Sequence, residues 1–142
     1  GENNTLWRGG GGDYRGIGWG KVKRLARNRD IVCQCCLKTK KIEKRNLAVH
    51  HWIPARFFDL LKENEIGSLV PHIEEENRCN NLENLICFCM SCHVKIEKTV
   101  DKLLIKNKIS SLDDASNFIT SDFKQYVIQQ VKSSLFFPNY QI

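Results

Sequence analysis

The stretch NLENLICFCMSCHVKIEKTVDKLL, residues 81–104, decides the fold. Leu85, Ile86 and Phe88 form a short β-prone run, the cysteines at 89 and 92 make a turn, and Val94, Ile96, Val100, Leu103 and Leu104 recur at helical spacing. A strand, a Cys-x-x-Cys turn and an amphipathic helix follow one another, with His93 in the first helical turn. A second Cys-x-x-Cys pair lies upstream in IVCQCCLKTKKIEKRNLAVHHWIP, residues 31–54, where Cys33 and Cys36 precede a strand through Leu47 and Val49. That strand ends in the pair His50-His51, and Pro54 stops it.

Tetrahedral zinc takes four thiolate or imidazole ligands, and two Cys-x-x-Cys turns each aim two sulfurs at one point. Cys33, Cys36, Cys89 and Cys92 are therefore expected to hold a structural Zn2+, with Cys35 and Cys87 as near neighbours that fit the same role. Cys79 has no assigned role. Seven cysteines in a chain whose start lacks a secretion-signal pattern fit thiolate ligation in a reducing compartment better than disulfides. With no apolar run of membrane-spanning length, the expectation is a soluble, intracellular, cytoplasmic protein without membrane partners.

His50 and His51 at a strand end project to opposite sides, so they serve two roles rather than chelating one ion together. One is suited to a metal and the other to act as a base. His93, fixed by its neighbour Cys92, is the natural second metal ligand, leaving positions open for water and a phosphate oxygen. His72, isolated in a loop, reads as an ordinary polar residue.

The charge is one-sided. Residues 1–48 carry 12 Lys and Arg against 4 Asp and Glu, a balance of +8, and residues 49–142 carry 10 against 12, a balance of −2. Residues 1–20 hold 8 of the 9 glycines with Arg8 and Arg15 among three large aromatics, a pattern of a flexible arm. GKVKRLARNRD, residues 20–30, reads as a basic amphipathic helix, with Val22, Leu25 and Ala26 inward and Lys21, Lys23, Arg24, Arg27 and Arg29 around them. Such a field suits DNA, through phosphate contacts. Residues 55–64 suit a helix, the run Glu74 to Glu76 faces away from DNA, and residues 111–137 form a helix opened by a capping box at Ser111 to Asp114, closing the core or pairing two subunits as a homodimer.

Cys33-x-x-Cys36, Val49-His50-His51-Trp52-Ile53-Pro54, Asn81-Leu82-Glu83-Asn84-Leu85 and Cys89-x-x-Cys92-His93 together resemble the HNH (His-Asn-His) endonuclease pattern over roughly residues 20–100. The resemblance implies an α+β, ββα-metal core that cleaves double-stranded DNA to 5′-phosphate and 3′-hydroxyl ends. His51 matches the general base, His50 and His93 the ligands of a catalytic Mg2+, Mn2+, Ni2+ or Zn2+, and Asn84 the middle Asn that holds the base-bearing loop or contacts the metal. Asn80 and Asn81 lie close enough to rival Asn84. The 32 residues between His51 and Asn84 make a longer insertion than many members carry. The domain plan is an arm at 1–20, the nuclease domain at 21–108 and a helical extension at 109–142. The competing reading is a non-catalytic zinc-ribbon module that binds nucleic acid.

Overall fold

A computed structural model describes residues 18–39, 45–58 and 79–136. The expectations for Arg8, Arg15, His72, Glu74 to Glu76, and most of the 1–20 arm and the 55–64 helix lie outside these residues.

The described chain is mixed α+β. Helix α1 (Trp19–Asp30) leads through the 33–36 cysteine turn to strand β1 (Ala48–His51). Strand β2 (Leu85–Phe88) follows and runs directly into helix α2 (Met90–Lys106). Helices α3 (Leu112–Phe118) and α4 (Ser121–Phe136) complete the order. The strands pair antiparallel, with Ala48 opposite Phe88, Val49 opposite Cys87, His50 opposite Ile86 and His51 opposite Leu85. Residues alternate across such a pair, so Ala48, His50, Ile86 and Phe88 share one face and Val49, His51, Leu85 and Cys87 the other. A two-stranded sheet is marginal alone. Here α1 and α2 both pack against it, and α4 packs on α2.

α2 begins where Cys89, in extended conformation, caps it through its sulfur, which accepts from the Cys92 amide at 3.5 Å. Cys92, Ile96, Val100 and Leu104 then fall inward at every fourth position, and Phe88, Trp52, Val127 and Val131 join them in the core. Val94, expected inward, is 42% exposed, because the cysteine anchor at 92 sets the rotation of the helix. In α1, Trp19, Val22 and Ala26 pack inward and Leu25 turns out, since Trp19 extends the stripe at i, i+3 and i+7.

The helix expected over 55–64 starts as a single 3-10 turn, Ala55–Phe57, after which Phe58 is extended. The single helix expected over 111–137 is two. Ser111 caps α3 by accepting from Asp114 N at 3.1 Å, and the chain breaks at Ile119–Thr120, where the Thr120 hydroxyl accepts from Phe123 N at 3.3 Å and restarts the helix. A threonine hydroxyl offers the backbone this alternative to helix continuation.

Asp30 fastens the end of α1 to the sheet. Its carboxylate accepts from Arg29 Nε at 2.6 Å and from the Cys87 amide at 2.9 Å, while the same guanidinium donates to Leu82 O and Leu85 O. Ile31 at φ 65° then reverses the chain, with Val32 N donating to Asp30 O at 2.6 Å. A β-branched residue at positive φ is strained, and the Asp30 anchor is what holds it there. Asp30→Ala leaves the Cys87 amide without its acceptor, so it should lower unfolding free energy by about 2 kcal/mol. Urea denaturation measures this, and an unchanged midpoint would remove Asp30 from that role.

Candidate functional site

The Sγ atoms of Cys33, Cys36, Cys89 and Cys92 lie within 4.8 Å of one another, and Cys36 Sγ to Cys89 Sγ is 3.7 Å. A tetrahedron of sulfurs about 2.3 Å from a central ion has edges of about 3.8 Å, so the four can hold a metal ion. Local backbone builds the geometry. Cys33 Sγ accepts from the amides of Cys35 and Cys36, each at 3.4 Å, and Leu37, at φ 69°, closes the turn by donating its amide to Cys33 O.

The neighbouring cysteines have other surroundings. Burial pushes the Cys35 thiol up to about 11 and the Cys87 thiol up to about 12. Both are neutral thiols beside the cluster. Burial also raises Cys33, but the amides of Cys36, Cys89 and Cys35 donating to its sulfur outweigh it and bring Cys33 below its usual value. Cys92 is raised, first by burial and then by the charges of the surrounding sulfurs. A cation among them reverses that penalty, because coordinated thiols lose their protons.

The histidines stand at one end of the sheet around a cleft of about 480 Å³ that His50, His51 and His93 all line. His50 is 4% exposed, with its ring 5.3 Å from that of His93 and edge-on to it. Trp52 and Phe88 enclose the rest of it. Its Nε2 is buried without a hydrogen-bond partner among the described residues. Burial, then the neighbouring His93 and His51, lowers its pKa to about 3, and burial lowers His93 as well. Both imidazoles are therefore neutral near pH 7, the form that ligates metals. The His50 ring thus carries a buried, unpaired nitrogen and lies beside a second neutral imidazole.

His51 lies on the opposite face of β1. Its ring stacks on Trp19 with centroids 4.9 Å apart, and its Nε2 is 2.9 Å from Asn80 Oδ1. Asn84 is held by backbone partners. Its Oδ1 accepts from Ile53 N at 2.9 Å and its Nδ2 donates to Ile53 O and Cys79 O, while its own carbonyl accepts from Trp52 N. These bonds clamp the residues that follow His51. Cys79, wholly buried, supplies one of its acceptors. Asn80 has its own place, on His51.

Two cleft residues escaped sequence reading. Glu97 and Asp101 line the cleft, at i+4 and i+8 from His93 on one face of α2, a spacing visible in the sequence. Asp101 Oδ1 accepts from Arg56 Nη2 at 3.3 Å. Of the basic helix, Lys23 lines the cleft and lies over the Trp19 ring, and Lys21 is exposed. Arg24 and Arg27 border a separate hollow with Asn46, and Arg27 donates to Leu47 O. Arg29 is engaged by Asp30 and the carbonyls of Leu82 and Leu85. Among the described residues no helix is long and apolar enough to cross a membrane.

No protein-family model, curated protein or solved structure matches the chain.

Two outcomes follow from this geometry. Titration with Co2+ should give the strong thiolate-to-metal absorption of a tetrahedral sulfur site and raise thermal stability, and Cys89→Ser should abolish that absorption. Retention of the band in Cys89→Ser would place the ion elsewhere. In protein free of divalent ions at the cleft, unfolded His50 takes a proton near pH 6.5 and folded His50 only near 3. The unfolded state binds more protons in that window, so the His50 contribution is intact above pH 6.5 and is lost as pH falls toward 3. His50→Leu should flatten this part of the stability profile measured by denaturation, and an equally steep profile would assign the loss to other groups.

Proposed function

We propose that this chain is a metal-dependent endonuclease of the HNH type that hydrolyses DNA phosphodiester bonds, with structural Zn2+ in the four-cysteine cluster. The observation that carries the reading is the unpaired, buried His50 Nε2, on a ring 5.3 Å from that of His93 where two strands meet a helix. A fold gains nothing from an unsatisfied buried nitrogen, which costs about 1–3 kcal/mol, unless a ligand satisfies it.

His50 and His93 would hold one divalent ion, for which Mg2+, Mn2+, Ni2+ and Zn2+ are the candidates, with Glu97 lining the same cleft. When bound, such an ion supplies electrostatic stabilisation of charge on the phosphate and on the departing 3′-oxygen. The chain's own residues do the rest. His51 takes the proton of the attacking water, its ring held by Trp19 on one side and Asn80 at the edge. The water oxygen bonds to phosphorus as the bond to the 3′-oxygen breaks, and that oxygen takes a proton from solvent, leaving 5′-phosphate and 3′-hydroxyl ends. Asn84 keeps residues 52–54 in place so that His51 stays at the cleft. Lys23 and Arg56 at the rim bind flanking phosphates of double-stranded DNA, and Lys21 and Arg24 extend that contact along α1.

The test is incubation of the chain and of His51→Ala with supercoiled plasmid plus Mg2+, Mn2+, Ni2+ or no added metal. Wild type should yield metal-dependent nicked or linear product, and His51→Ala should be about 10² to 10⁴ slower while keeping its circular dichroism and its gel shift. If neither cuts with any metal while both bind DNA, the non-catalytic binding module is the better reading.

A further inference from the structure

α2 carries two charge populations on different sides. His93, Glu97 and Asp101 face the cleft. Lys95, Lys98, Lys102 and Lys106 are all exposed and line a separate groove of about 540 Å³ between α2 and α4. At 3.6 residues per turn, the lysines centre roughly 140° around the helix from the cleft residues. None of the four forms an ion pair among the described residues. Lys98, Lys102 and Lys106 stack at i, i+4 and i+8, where like charges destabilise a helix.

The opposite wall of the groove belongs to α4. Tyr126 projects there with 51% of its surface exposed, large for an aromatic with a neighbouring apolar core. Gln130 lines the same groove, and its side-chain carbonyl oxygen is buried without a hydrogen-bond partner among the described residues. A row of cations and an exposed aromatic face are two chemistries that a nucleic-acid strand satisfies with phosphates and base planes.

We infer that the groove between α2 and α4 is a second nucleic-acid surface that takes a single-stranded segment, with the four lysines on its phosphates and Tyr126 stacked on a base. The lysine row spans about 16 Å at 1.5 Å per residue, enough for several consecutive phosphates. A single strand is favoured over a duplex because Tyr126 can stack on a base only when that base is unpaired. The surface is independent of the nuclease reading, since it lies on the far side of α2 and uses none of the cleft residues.

Binding of a fluorescent twelve-nucleotide oligo-dT is measured by anisotropy in the His51→Ala background without added divalent ion, so cleavage cannot intervene. Replacing Lys95, Lys98, Lys102 and Lys106 together by Gln, which keeps helix propensity, should weaken binding at low salt at least about ten-fold. It should also flatten the slope of log affinity against log salt by about 2 to 3, near 0.7 per lost phosphate contact. Tyr126→Ala should weaken binding about ten-fold with the slope nearly unchanged. Unaltered affinity and slope in the lysine variant would overturn the assignment. So would tighter binding of a twelve-base-pair duplex through the same lysines, or displacement of the strand by phosphatidylserine vesicles.

Discussion

The convergence of four sulfurs is the constraint on which the rest of the molecule depends. Cys36 and Cys89 are 53 positions apart in sequence and their sulfurs are 3.7 Å apart. That contact ties the turn after α1 to the start of α2, and the sheet lies between them. Two four-residue strands and a short basic helix bury little apolar surface, and a metal ion held by the four sulfurs would cross-link them as a larger core otherwise does. The arrangement has an electrostatic cost without a cation. Amides directed at Cys33 favour its thiolate, whereas burial and sulfur crowding raise Cys92. Protons or a metal must balance these sulfurs, and a metal ion does so while bonding all four.

From that anchor the positions of the histidines follow by chain geometry alone. Cys92 fixes the first turn of α2, and His93 is its next residue, at the end of the sheet. Strand alternation in β1 then sends His50 toward α2 and His51 toward α1. The two neighbours acquire opposite environments. His50 is sealed among Trp52, Phe88 and His93 and kept neutral, and His51 is half-buried against Trp19 with a polar partner in Asn80. A fold selected only for stability would fill the His50 position with an apolar side chain. Retaining an imidazole there, with one nitrogen unsatisfied, is the kind of local inconsistency that marks functional positions.

Features set by neighbouring residues were legible in the sequence, and features set by distant ones were not. The cysteine turns, the strand ending at His51 before Pro54, and the start of α2 at Cys89 all follow from local spacing and backbone chemistry. The inward faces of the helices were only partly legible. Val94 and Leu25 satisfy helical periodicity yet turn outward, because Cys92 and Trp19, anchored by partners far along the chain, set the rotation of their helices. The break at Thr120 was missed because periodicity is blind to a hydroxyl that competes for an amide. Arg27 and Arg29 read as part of a phosphate-binding face, and both also donate to backbone carbonyls, of Leu47 and of Leu82 and Leu85, acceptors that no local pattern announces.

Charge is where summation along the chain misleads most. Residues 49–142 total −2, which suggests a weakly acidic region with nothing to offer a polyanion. α2 contradicts that average because the helix sorts its charges by angle. Glu97 and Asp101 join His93 on one side, and four lysines collect on another, so a small net charge is made of two strong local fields of opposite sign. Ordinary helix-stabilising logic would set each acid four residues before a lysine, where the pair attracts. In α2, Asp101 follows Glu97 and Lys102 follows Lys98 at that spacing, so the helix forgoes those attractions and accepts repulsion on both faces. Each such pair costs only a few tenths of a kcal/mol, a penalty that the buried column from Cys92 to Leu104 readily offsets. The helix can therefore carry separated faces because its stability comes from the core side and the sulfur anchor, leaving its charged residues to serve what lies outside.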